Sequence, residues 1–131
     1  MADKMRWRYS DTEPVNSPVR PETIIEIGDI MFQDDDGFAN TNDLTFLGVA
    51  MQRSRKGDTA SIRVATAGVF EFDVAEPRGW KIGEKVECDG RQSVIESPHP
   101  AYAIGRVVRY QHQPSRIVLV EIRSQVMGRS V

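Results

Sequence analysis

The sequence predicts an all-β domain with little helix. Three observations carry this expectation. Apolar residues alternate with polar ones in short runs, glycine- and aspartate-rich turns separate those runs, and no stretch of helical length shows a 3.6-residue apolar stripe. At 131 residues the chain is sized for one ordinary domain, a small barrel or sandwich.

The first 22 residues stand apart from the rest. Pro14, Pro18 and Pro21, with Ser10, Asn16 and Ser17, exclude a central strand or a long helix, because proline lacks an amide donor and fixes φ. Earlier in the same stretch Met5, Trp7 and Tyr9 alternate with Arg6 and Arg8. A period of two suits a short strand, or an arm that orders when its apolar face meets a partner. Residues 1–22 are therefore expected to form an extended or flexible arm, and residues 23–131 the folded domain.

Residues 23–27 are β-branched and apolar, and Gly28-Asp29 turns the chain. Residues 30–32 follow, closed by Asp34-Asp35-Asp36-Gly37. Residues 46–53 lead into the polar hairpin turn 54–58. Residues 61–66 and 69–74 both alternate, and Gly68 between them marks a turn or bulge. Further strands are expected at 85–87, 92–96, 103–110 and 117–122. There is also an internal echo. Ile27-Gly28-Asp29-Ile30-Met31 resembles Ile82-Gly83-Glu84-Lys85-Val86 at a spacing of 55, and Phe46-Leu47-Gly48-Val49-Ala50 resembles Ala103-Ile104-Gly105-Arg106-Val107 at 57. Two glycine-turn-strand units in one order suggest a duplicated β fold.

Composition narrows the function classes. Lys+Arg 17 against Asp+Glu 19 leaves a net charge of −2, without the basic excess of a protein that coats nucleic acid. No apolar run is long enough for a membrane-spanning helix, and residues 1–8 lack the apolar core of a secretory signal. One cysteine, Cys88, excludes an intrachain disulfide and a cysteine-based zinc cluster. Its acidic neighbours Glu87 and Asp89 would raise the thiol pKa. The run from Asp34 fails the calcium-loop pattern, because Phe38 and Ala39 stand at its fifth and sixth positions. Ser97-Pro98-His99-Pro100 reads as a rigid connector, and neither a Gly-x-Ser-x-Gly elbow nor a phosphate loop occurs. No enzymatic activity, cofactor or metal is expected. Charge is also unevenly placed. Residues 24–45 hold Glu26, Asp29, Asp34, Asp35, Asp36 and Asp43 with no basic residue, whereas Arg106, Arg109, Arg116, Arg123 and Arg129 crowd the C-terminal quarter. Asp34, Asp35 and Asp36 on one copy could thus meet Arg106, Arg109, Arg116 and Arg123 on another.

The strand text itself resembles a family of small tailed-phage proteins. The resemblance lies in 24–31, in Phe46-Leu47-Gly48-Val49-Ala50, in 64–72, in 80–86 and in Ala103-Ile104-Gly105-Arg106-Val107, and spans about residues 23–123. That family, often filed as a domain of unknown function or as "phage recombinase", is similar to capsid decoration, or cement, proteins. The resemblance implies a β-tulip or SH3-like barrel that sits as homotrimers on the outside of an expanded icosahedral head, bound to the major capsid protein and resisting internal DNA pressure. It implies an N-terminal arm that orders against the capsid, with Met5, Trp7 and Tyr9 as apolar anchors and Pro14, Pro18 and Pro21 holding it extended. The protein would be made in the host cytoplasm and end in the virion, with no membrane or specific nucleic-acid partner. The competing reading is a single-stranded nucleic-acid-binding barrel using Arg53, Arg55 and Lys56, although only Tyr110 stands near the basic C-terminal quarter as a stacking platform.

Overall fold

The computed structural model describes residues 12–128, which form two antiparallel sheets. The first contains β1 (Pro14–Pro18), β2 (Ile30–Gln33), β3 (Ala39–Asn40), β4 (Thr45–Ala50) and β5 (Ser61–Ala65), in the order β1-β5-β4-β2-β3. The second contains β6 (Ala67–Trp80), β7 (Lys85–Cys88), β8 (Val94–Glu96), β9 (Gly105–Val107) and β10 (Gln111–Arg123), in the order β6-β10-β9-β7-β8. A 3-10 turn at Pro100–Tyr102 is the sole helical element among the described residues. The all-β expectation is met.

Each strand of the second sheet is the strand of the first plus five, so the internal echo is a true structural repeat. Equivalent backbone bonds recur. Gly28 N donates to Ala50 O at 2.9 Å and Gly83 N to Val107 O at 2.8 Å. Glu26 N donates to the Asp29 carboxylate at 2.9 Å, as Lys81 N does to the Glu84 carboxylate at 2.8 Å. Ile25 bridges to Ser54 and Trp80 pairs with Gln111; both apolar side chains are fully buried. The turn after β2 closes with Asp34 N to Phe38 O, and the turn after β7 with Asp89 N to Ser93 O. Finally, a parallel bridge joins the two outer edges of each sheet, Val19 to Ala39 in the first and Asp73 to Ser93 in the second. The second sheet thereby curls into a nearly closed barrel.

The core has two parts. Phe70, Phe72, Trp80, Val86, Ile104 and Val120 of the second sheet pack with Phe32, Phe46 and Val49 of the first. Phe32 and Phe46 meet edge to face at 6.1 Å. The other face of the first sheet buries Val19, Ile25, Met31, Leu47, Ile62 and Val64. Because β4 is buried on both faces, it reads as a continuous apolar run and not as an alternating one.

Several boundaries differ from the sequence expectation, each for a physical reason. Residues 23–27 form no strand, since the backbone there bends to place Glu26 N on the Asp29 side chain. Pro14–Pro18 is a strand, on the outer edge where a missing amide breaks no ladder bond. Strand β6 runs through Gly68 without a break, taking φ of +118° there. Its pairing with β10 shifts register twice between Gln111 and Ile117, in the stretch that also holds Pro77 and Pro114.

Two glycines of the echo, Gly48 and Gly105, sit where a neighbouring backbone passes closely. A Cβ on Gly105 would lie 2.3 Å from Glu121 O, and one on Gly48 1.9 Å from Ala65 O. By contrast Gly83, at φ +92°, has open space around it. Gly105→Ala is expected to cost about 3 kcal/mol or more through forced strand separation. Gly83→Ala should cost about 1–2 kcal/mol through backbone strain alone. Urea unfolding midpoints of the two variants decide this; equal losses would contradict the close-approach account.

Candidate functional site

The described residues gather their charge in several clusters, one of which borders a cleft. The first cluster joins the two sheets. Asp29 is completely buried, and its Oδ2 accepts from Glu26 N and from both Nε (3.1 Å) and Nη2 of Arg91. Its Oδ1 accepts from Gln92 Nε2 at 2.9 Å. Arg91 Nη2 also reaches Ile24 O.

In the second cluster Arg55 holds Glu26 by two bonds, of 2.9 and 2.7 Å, with Arg53 3.6 Å away. The Arg55 guanidinium keeps the Glu26 carboxyl below its ordinary pKa, against the opposing effect of burial. The basic turn singled out as a nucleic-acid contact thus spends Arg53 and Arg55 on a carboxylate of its own chain.

The third cluster is the acidic turn after β2. Asp34 Oδ1 accepts from Asp36 N at 2.9 Å and Phe38 N at 3.0 Å, so the carboxylate shapes the turn. Arg20, arriving from β1, donates to Asp34 Oδ2 and to Asp36, and lies over the Phe38 ring at 4.2 Å. The Phe38 amide, and then Arg20, hold the Asp34 carboxyl below the usual range. Asp35 is exposed.

Of the residues expected to meet this run, Arg106 donates to Gly83 O at 2.9 Å and Arg123 lies 3.3 Å from Glu121, while Arg109 and Arg116 are exposed. Within the described residues none of the four pairs with the acidic turn; Arg20, which sequence reasoning missed, does. Of the arm residues, Pro14 and Pro18 bound β1, and Pro21 sits in the turn that follows, 3.5 Å from where a Cβ on Gly57 would stand. Met5, Trp7 and Tyr9 lie outside the described residues.

The cleft, of about 330 Å³, opens where β6 and β8 diverge beyond the Asp73–Ser93 bridge. Val74, Ala75, Trp80 and Ile95 give it apolar walls, with Glu76, Asp89, Glu96 and Arg78 among the charged residues that line it. Arg78 stacks on Trp80 at 4.0 Å and bonds Glu84 and Glu96 at 2.8 and 2.7 Å. Elsewhere the Ser97 hydroxyl is 2.9 Å from the Glu87 carboxylate, and His99 faces Tyr102 with ring centroids 5.8 Å apart. Burial pushes the Cys88 thiol above its ordinary pKa. No group of His, Cys, Asp and Glu among the described residues could hold a metal ion, and no helix there is long and apolar enough to cross a membrane.

The lowered carboxyls have a consequence for pH. A folded-state pKa below the unfolded value contributes stability that is complete above about pH 4–4.5 and is lost as pH falls through the folded value. Glu26→Gln is therefore expected to lower the thermal midpoint at pH 7 and to converge on the wild type near pH 2.5. A gap that stays constant with pH would contradict the ion-pair assignment.

Comparison with known proteins places this geometry. A family model described as "Phage cement protein" matches residues 9–122, which spans both repeats. Among solved structures the chain is similar to "head fiber gp8.5 N base in bacteriophage phi29", with a TM-score of 0.57 and 16% identity over 83% of this chain and 93% of that one. At that identity the likeness is one of fold. No curated protein matches the sequence.

Proposed function

The chain belongs to the phage cement protein family, and we propose that it decorates the outer surface of an expanded icosahedral head, as homotrimers bound to the major capsid protein. Its role is structural and capsid-associated. The observation that carries the reading is the family match across both repeats, from residue 9 to residue 122. In this proposal the protein works by bridging, not by catalysis, and its bonds across neighbouring capsid subunits resist the outward pressure of packed DNA.

The fold suits such a task. Two curled sheets with bridged outer edges leave little free strand edge for misdirected pairing between copies, and Pro14 and Pro18 blunt β1 further. In the proposed arm, Met5, Trp7 and Tyr9 supply an apolar face toward the capsid, while Pro14, Pro18 and Pro21 set its exit from the sheet. Three such arms on one trimer multiply a modest single contact through their shared tether. Asp34–Asp36 and the arginines 106, 109, 116 and 123 remain the candidate contacts between copies. Of these, Asp35, Arg109 and Arg116 are the exposed ones without a bond in the described part of their own chain.

Truncation has to respect β1. Removing residues 1–22 would take away the edge strand and the core residue Val19, so the informative deletion ends at Asp11. Full-length protein is expected to pellet saturably with expanded, DNA-free heads of the source phage. The protein lacking residues 1–11 should stay folded and bind at least about tenfold more weakly, the loss of one interface anchor. Failure of the full-length protein to pellet with shells would overturn the reading; salt-sensitive DNA retention in its place would promote the nucleic-acid alternative.

A further inference from the structure

The three most exposed large apolar side chains among the described residues are Leu44 at 70%, Ile82 at 68% and Tyr110 at 58%. All three stand beside charged residues, Leu44 beside acids and the other two beside bases. Ile82 follows Lys81 in the turn before β7, and Tyr110 follows Arg109 in the loop before β10. Bonds on either side hold that turn and that loop together, since Trp80 pairs with Gln111 and Gly83 N donates to Val107 O at 2.8 Å. The result is one exposed face carrying Lys81, Ile82, Arg109 and Tyr110. His112 steadies the tyrosine, with its Nδ1 3.1 Å from the phenol oxygen and its ring stacked at 6.1 Å.

The repeat shows that this face is not required to close the fold. Lys81, Tyr110 and His112 occupy the places of Glu26, Arg53 and Arg55 in the first half, at the spacings of 55 and 57. There the three side chains form an ion-pair cluster, with the Glu26 side chain only 9% exposed. In the second half a lysine stands in place of the carboxylate and two rings in place of the arginines, so the matching ion pairs do not form. Lys81 and Arg109 pair with no carboxylate among the described residues. Exposed apolar and cationic groups side by side fit a partner surface that is itself apolar and acidic.

We propose that this face docks on the Leu44 loop of a second copy of the chain. Leu44 precedes Thr45, which pairs with Gln33, so the loop borders the acidic turn that begins at Asp34. The Asp43 carboxylate accepts from Leu44 N at 2.8 Å and shapes the loop. Asp35 and Asp43 are exposed and take no cation among the described residues, while Arg20 engages Asp34 and Asp36. The loop thus offers what the Ile82–Tyr110 face lacks, an apolar side chain with unneutralised carboxylates beside it. Both surfaces are anchored at strand ends of the folded body and both are exposed in one chain, so they meet only between copies. Because the two surfaces differ, the contact is head to tail, and repetition around an axis closes it into a ring. The inference rests on the trimer reading given above and names the surfaces that build it. Its test needs no shells, so either reading can fail alone.

The test exchanges charge in the full-length chain. One variant carries Lys81→Glu with Arg109→Glu, a second Asp35→Lys with Asp43→Lys, and a third all four changes; every position is exposed. Sedimentation velocity over a concentration series is expected to show self-association of the wild type and at least about tenfold weaker association of each two-site variant. The four-site variant should regain association, because its two surfaces are again opposite in sign. Leu44→Ser and Tyr110→Ser are each expected to weaken association about tenfold while leaving the circular dichroism spectrum unchanged. A monomeric wild type would overturn the proposal, even if the protein pelleted with shells and so kept its place on the capsid. Self-association that survives both exchanges, or that the four-site variant fails to regain, would also overturn it and leave the trimer reading to another surface.

Discussion

The buried carboxylate of Asp29 is the constraint on which the two-sheet arrangement depends. It has no solvent exposure, so the loss of its hydration is compensated only by the donors around it: the Glu26 amide, two nitrogens of Arg91 and the amide of Gln92. Those donors come from both halves of the molecule, across more than sixty residues of sequence. Arg91 is 41% exposed, so its loss lets solvent reach part of the site and is expected to cost less than the about 3–5 kcal/mol of a pair buried on both sides, still a sizeable share of a stability of about 5–15 kcal/mol. Ile30 N adds a bond to Arg91 O at 2.7 Å, so backbone and side chain together fix how β2 meets the turn between β7 and β8. With that junction set, Phe32 and Phe46 face the second sheet and the shared core follows.

The repeat explains why this junction is unsymmetrical. Glu84 occupies the place of Asp29 and folds the same turn, but its arginine, Arg78, comes from its own sheet and lies on Trp80. The first copy of the motif therefore faces inward and joins the halves, while the second faces outward and borders a cleft. Duplication followed by divergence of a few charged positions is enough to produce one structural face and one surface available for contact.

Much of this fold was legible in the sequence, because strand alternation and glycine turns are local signals. The spacings of 55 and 57 between the glycine units correspond to real pairs of turns and strands, with Gly48 opposite Met31 and Gly105 opposite Val86. What local reading could not reach was long-range. Nothing near Asp29 announces Arg91, and nothing near the acidic turn announces that Arg20 will neutralise it from before the first turn. Strand β1 was hidden by its prolines, which are tolerated only because the strand lies at an edge, a property of topology and not of composition. The cleft was hidden for the same reason, since it exists only where β6 and β8 fail to meet.

The central claim is that a rigid, duplicated β scaffold of the cement family sits on the outside of a phage head. Cryo-electron microscopy of heads decorated with the purified protein tests this most directly. The account predicts extra density on the outer surface that accepts both sheets as one rigid body, in symmetric clusters of copies. Heads whose outer surface carries no such density, or density on the inner face, would contradict it.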